Sequence, residues 1–200
     1  MLTIKKIMYK PPATIVFWND GTKTVSVCEK GDAYNKELGF ALCVLKKKYG
    51  NKKALDDVSF EVKSGEIFAF IGHNGAGKTT LIKSIVGIHD FDEGEILIDG
   101  KSIKKEPVEC KKIMAYVPDN PELYENMKAV DFINFICDMY EVNATTREKN
   151  IKKLAEMFEM TESLNNEIKS FSHGMKQKVA LIAALAHEPK VLIMDEPFVG

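Results

Sequence analysis

The sequence predicts an α/β fold, and three observations carry that prediction. From Tyr49 onward, apolar runs of strand length alternate with longer stretches of helical spacing. A glycine-rich loop, Gly72-His73-Asn74-Gly75-Ala76-Gly77-Lys78-Thr79, stands between an apolar run and a helical stretch. A further apolar run, Val191-Leu192-Ile193-Met194, ends in two acids, Asp195 and Glu196.

The 200 residues suit one domain, or one domain with a small appendage. The formal net charge of -1 gives no basic stripe, so nucleic acid is not an expected partner. Arg147 is the sole arginine and lies in a polar, helix-starting stretch. Cys28, Cys43, Cys110 and Cys137 show no metal-site or redox spacing and read as buried or incidental thiols in a reducing compartment. Pro11 and Pro12 interrupt the N-terminal region before any signal-peptide core forms. No apolar run reaches the roughly 18–20 residues of a membrane span.

The first segment, residues 1–48, differs in texture from the rest. Ala13–Trp18 and Thr22–Cys28 flank Asn19-Asp20-Gly21, and Asp-Gly between strand-like runs predicts a hairpin. Asn35–Lys48 carries apolar residues at helical spacing (Leu38, Ala41, Leu42, Leu45) and predicts a helix stopped near Gly50. Part of it, Gly39–Leu45, reads equally well as a strand, a local conflict between two structures. From 49 to 200, strands are predicted over Val58–Val62, Ile67–Ile71, Glu95–Ile98, Ile113–Val117 and Val191–Met194. Helices are predicted over Lys78–Val86, Ala129–Tyr140, Thr145–Phe158 and Gly174–His187. Gly65, Gly94 and Gly100 mark turns. The Phe132/Phe135/Met139 stripe reads as core, and His89 and His187, at helix ends, as surface residues or residues compensating the helix dipole.

The loop matches the phosphate-binding pattern G-x-x-x-x-G-K-[ST] at every defined position. Its glycines let successive backbone N–H groups turn inward on a polyphosphate. Lys78 reaches the β/γ-phosphates and the Thr79 hydroxyl can hold Mg²⁺. Glu66–Ile71 reads as a buried strand entering the loop, and Lys78–Val86 as a helix whose positive end faces the anion. Lys190–Met194 reads as a central strand delivering carboxylates at its C-terminal end. Asp195 would hold Mg²⁺, and Glu196 would orient and deprotonate the attacking water. In Ser170–Lys178, Ser172 caps a helix, and its hydroxyl with the Gly174 N–H can meet phosphate.

Taken together, these residues resemble the ATP-binding cassette (ABC) ATPase family of P-loop NTPases. The resemblance covers about Leu45 to Gly200. It rests on Tyr49–Phe60, the phosphate loop, Asp92–Gly100, the Ser172–Lys178 signature and Asp195-Glu196-Pro197. It is nearest to the ATPase subunits of ABC-2-type exporters. It implies ATP and Mg²⁺ as cofactors and an ATPase core carrying a helical signature subdomain. Nucleotide contacts fall on Tyr49 (stacking on adenine), Gly72, Asn74, Gly75, Ala76, Gly77, Lys78, Thr79, Thr80, Ser172 and Gly174. Mg²⁺ falls on Thr79, Asp195 and Asp119, and catalysis on Glu196 and Lys78. It further implies a dimer with a second ABC ATPase domain, like or unlike, each ATP lying between one phosphate loop and the other signature. Partner transmembrane permease subunits would engage the region from Met127 to Phe171, with the chain peripheral on the cytoplasmic face of the cell membrane.

The chain departs from the family's common pattern at several points. Asp119 stands where the family usually has Gln after Tyr116-Val117-Pro118, and His173 and Met175 vary the signature. The family continues past the Asp-Glu-Pro segment to a histidine that contacts the γ-phosphate, whereas this sequence stops at Gly200. The expectation is an ABC ATPase domain, 49–200, incomplete at its C-terminus, preceded by a small hairpin-plus-helix segment, 1–48. Two alternatives follow: a nucleotide-binding module without turnover, and a soluble ABC ATPase outside transport.

Overall fold

The computed structural model of the chain describes residues 4–10, 13–18, 23–27, 39–49 and 52–195, with side chains at 46–47 and 54–195. They form two compact units, Met1–Cys110 and Lys111–Gly200.

In the first unit, β1 (Ile4–Lys10), β2 (Ala13–Trp18) and β3 (Lys23–Val27) make an antiparallel sheet in that order. The predicted hairpin is β2–β3, registered Ala13 to Val27 and Phe17 to Lys23, while its turn lies outside the described residues. A second antiparallel sheet has the order β5-β4-β6-β7, from β4 (Gly39–Tyr49), β5 (Lys52–Lys63), β6 (Glu93–Ile98) and β7 (Lys101–Ser102). β6 and β7 meet at Asp99-Gly100, both at positive φ (51° and 76°), the backbone of a tight hairpin turn.

The helix predicted over Asn35–Lys48 is replaced, within the described residues, by strand β4. Its apolar spacing fits a helix, but β4 lies between β5 and β6 and pairs with both. A short continuous apolar run suits either structure, and neighbours on both sides decide it. β4 crosses the expected boundary at residues 48 and 49.

The strand predicted over Ile67–Ile71 does not form: Glu66–Ile71 enters no ladder, and Ile67 and Ile71 are exposed. A strand needs a partner as well as a pattern, and the apolar run names no partner. Aromatic packing holds the segment instead. Phe68 stacks on the buried Phe60 of β5 at 4.8 Å, and Phe70 meets both rings edge-on at 5.3 and 5.1 Å. α1 (Lys78–Ile85) contacts β5 and buries Leu81, Ile82 and Ile85 in a core shared with Leu55, Val58 and Ile96.

α2 (Pro107–Lys112) spans the junction of the units. In the second unit, β8 (Met114–Val117) and β9 (Val191–Met194) pair in parallel. β9 alternates half-buried and exposed residues, so it is not the fully buried central strand its apolar run predicts. Helices α3 (Ala129–Met139), α4 (Ala144–Met157) and α5 (His173–Leu185) enclose a core of Ile133, Cys137, Met160, Ile168, Val179 and Ile182, among others. This is the expected helical subdomain. Among the described residues, no helix is long and apolar enough to cross a membrane. Cys110 and Cys137 are buried free thiols, as expected, and burial raises both above the ordinary thiol range.

Two side-chain expectations need correction. Only Phe132 of the Phe132/Phe135/Met139 stripe is core; Phe135 and Met139 are exposed. The buried face of α3 runs through Ala129, Ile133 and Cys137, and the other two fall round its side. His187 is not a surface residue: it stacks on Tyr140 with centroids 3.7 Å apart, and burial lowers it below the usual imidazole range.

Candidate functional site

In the first unit, the turn that launches α1 is built by backbone conformation. Gly75 and Gly77 take φ of 82° and 98°, the left-handed region that glycine enters without strain. Gly77 is also the N-cap of α1, so no side chain shields the first helical N–H groups. A Cβ on Gly77 would lie 2.7 Å from Ala54 O, so chain packing as well as φ demands glycine there. Gly75 has nothing within 4 Å of a built Cβ, an open side of the loop. Ala76 is buried and its N–H donates to His73 O at 3.2 Å. The helix starts at once, with Leu81 N–H donating to Gly77 O at 2.9 Å.

Lys78 folds back across this turn. Its ammonium donates to Gly72 O at 2.6 Å and His73 O at 3.1 Å. A cation thus sits over a ring of backbone at the positive end of a helix, a fit for a polyphosphate. Asn74 and Thr79 are exposed at the turn, and Gly72 and Thr80 are half-buried beside them. Tyr49 ends β4 opposite Lys52, and its side chain lies outside the described ones.

The second unit brings the acidic and signature residues to strand and helix ends. Asp195 follows β9 directly, is 6% exposed, and its N–H donates to Val117 O at 3.0 Å. β8 leads through Pro118 to the exposed Asp119 at the same end of the parallel pair. Carboxylates at the C-terminal ends of parallel strands are well placed for ligand chemistry. Mg²⁺ is typically held by one or two carboxylates plus substrate phosphates, so this donor set suits it. Glu196 lies outside the described residues.

Ser172 is the N-cap of α5, as its sequence predicts, and its Oγ accepts from Met175 N–H at 3.3 Å. Ser172, His173 and Gly174 are all exposed at that helix start. Lys176 pairs with Glu125, and Lys169 N–H donates to Glu125 O at 2.9 Å, so the signature is tied to the segment entering α3. Arg147 pairs with Asp138 and donates to Val142 O, a role inside the helical unit. Sequence reasoning missed the Phe60/Phe68/Phe70 cluster that seats the chain ahead of the loop. The alternation of Phe68 and Phe70 was its available signal.

Comparisons with known proteins agree with this geometry. Residues 55–199 match the family model described as ABC transporter. The chain is 40% identical over 146 residues to the uncharacterized ABC transporter ATP-binding protein YhcH of Bacillus subtilis, covering 73% of this chain and 47% of that one. It is 38% identical over 156 residues to the linearmycin resistance ATP-binding protein LnrL of the same organism, covering 78% and 50%. A solved ATP-binding subunit of an ABC transporter superposes with a TM-score of 0.76 at 34% identity, covering 80% of this chain and 67% of that one. The chain thus spans about half the length of these two curated relatives.

Proposed function

The chain belongs to the ABC transporter family, and on that premise we propose that it is an ATP-binding, ATP-hydrolysing part of an ABC exporter. The observation that carries the reading is Lys78 held over Gly72 and His73 at the glycine-shaped start of α1. In it, the loop N–H groups and Lys78 bind the phosphates, and Gly72, Asn74, Gly75, Ala76, Gly77 and Thr80 shape the contact. Tyr49 stacks on the adenine. Thr79, Asp195 and Asp119 are the oxygens assigned to Mg²⁺, which when bound neutralises charge on the phosphate oxygens. Glu196 orients the attacking water and takes its proton, and Ser172 with Gly174 meets the phosphates of a second domain's nucleotide.

The family resemblance also supplies the partners in this reading. They are a second ABC ATPase domain and transmembrane subunits on the cytoplasmic face of a membrane. Export is supported by the His173-Gly174-Met175-Lys176-Gln177 signature and by the likeness to a resistance protein. The domain is proposed to occupy residues 49–200 together with β4, which pairs with β5 and β6 across the expected boundary and so does not belong to a separate segment 1–48.

The test is nucleotide binding and steady-state Mg-ATP hydrolysis by the purified chain, beside Lys78→Ala and Glu196→Gln. The expected result is weaker ATP binding in Lys78→Ala, by tenfold or more on the order of one lost charged contact. Turnover should be present in the parent and lost in Glu196→Gln. Equal affinity in Lys78→Ala and the parent would sink the phosphate-loop assignment. Binding without turnover in the parent would leave a nucleotide-binding module in place of an ATPase.

A further inference from the structure

The His73 imidazole has no part in the chemistry above, although it stands inside the phosphate loop. Its Nδ1 donates to Asn74 O at 2.9 Å. A carbonyl only accepts, so this bond places a ring proton on Nδ1. Two neighbouring carbonyls are held as well. Gly72 O accepts from the Lys78 ammonium at 2.6 Å. His73 O accepts from the same ammonium at 3.1 Å and from Ala76 N–H at 3.2 Å. Three consecutive carbonyls of the loop therefore each accept from a donor of the loop itself.

A trans peptide is planar, so its C=O and the N–H that follows point in opposite directions. Fixing Asn74 O thus fixes the direction of Gly75 N–H. Little else holds that peptide. Gly75 takes a φ of 82°, and nothing lies within 4 Å of a built Cβ. Among the described residues its N–H donates to no group. Glycine passes between positive and negative φ at little cost, so the peptide before it turns over easily. Turned over, the Asn74–Gly75 peptide would present a carbonyl where a phosphate needs an N–H.

We infer that His73 is a positioning residue of the phosphate loop. Its Nδ1–H latches the Asn74–Gly75 peptide so that Gly75 N–H is already aimed at an arriving polyphosphate. Apparent affinity scales with the fraction of the loop held in the binding orientation, and the latch raises that fraction. The inference rests on the assignment of this loop to nucleotide phosphates. An imidazole that is only a solvated surface group would be replaced by leucine without loss.

The experiment measures ATP binding to the full chain by titration calorimetry. Thermal midpoints and the Gly75 amide resonance of the nucleotide-free protein are taken alongside. The variants are His73→Leu, which removes the donor, and His73→Asn, whose side-chain amide puts an N–H near the Nδ1 position. Lys78→Ala is the reference for the loop. His73→Leu should raise the ATP dissociation constant about two- to tenfold, the range that one net hydrogen bond allows. It should also shift or broaden the Gly75 resonance, with the thermal midpoint unchanged. His73→Asn should restore both the affinity and the resonance. Parental affinity in His73→Leu beside a loss in Lys78→Ala overturns the proposal and leaves the phosphate-loop reading standing. No loss in either variant overturns both. Equal losses in His73→Leu and His73→Asn, or a thermal midpoint that falls with affinity, assign the ring to another role and also overturn the proposal.

Discussion

Gly75 and Gly77 share a left-handed backbone but differ in surroundings, so one substitution separates strain from collision. Gly77→Ala brings a Cβ to 2.7 Å from Ala54 O in addition to a φ of 98°. Gly75→Ala carries the φ of 82° alone, with open space around it. Left-handed strain at a non-glycine residue costs about 1–3 kcal/mol. Gly77→Ala should therefore lose more stability than Gly75→Ala in urea denaturation, and equal losses would contradict the packing argument. His187 offers a pH test at the same scale. Its folded value lies below the ordinary one of about 6.5. The unfolded chain then binds the proton more readily than the folded one. The stability tied to this residue is whole above about pH 6.5 and is lost as pH falls toward the lower folded value. His187→Phe keeps a ring against Tyr140 and should flatten that part of the pH dependence when urea midpoints at pH 7.5 and 5.5 are compared.

Helix α5 shows how a local signal and a tertiary contact share one element. Ser172 caps it in the manner its sequence predicts, with Met175 N–H as the donor. Ser172→Ala should cost about 1 kcal/mol, and Ser172→Asp, which keeps an acceptor, should cost much less. Thermal unfolding of the two variants decides this, and similar losses would mean that the cap contributes little. The other end of α5 depends on a neighbour: the buried Asn150 of α4 donates from Nδ2 to Ala186 O at 3.0 Å. That bond joins residues 36 apart and has no signature in the local sequence. α4 is likewise capped locally, by Asn143 Oδ1 accepting from Thr146 N–H at 2.9 Å. The starts of α4 and α5 are therefore local features, because the capping side chain and the N–H it serves lie within three residues.

Across the second unit, the three helices are held by one apolar cluster in which Ile133 is fully buried. Ile133→Ala should lower stability by about 2–5 kcal/mol, the cost of lost burial plus a cavity. Guanidinium denaturation measures it, and a loss well under 1 kcal/mol would mean that the cluster does not organise this unit. α1, α3, α4 and α5 form within a few residues of their predicted spans. So do the β2–β3 hairpin, β6, β8 and β9. The phosphate-loop turn was legible for the same reason as the caps: Gly75, Gly77 and Lys78 act on backbone a few residues away.

Local motifs and patterning alone specify the family, the loop that starts α1, the helical subdomain and the strand ends that carry Asp119 and Asp195. These rest on contacts between near neighbours and on motifs whose residue types the chemistry restricts. Long-range packing makes Gly39–Tyr49 a strand, because its pairing with β5 and β6 outweighs a helical spacing. It likewise decided that Glu66–Ile71 is held by Phe60, Phe68 and Phe70 instead of a ladder. It also decided that Phe135 and Met139 face outward and that His187 lies against Tyr140. Apolar character marks a segment as able to bury itself, but the partner that buries it comes from elsewhere in the chain, and a local pattern does not name that partner.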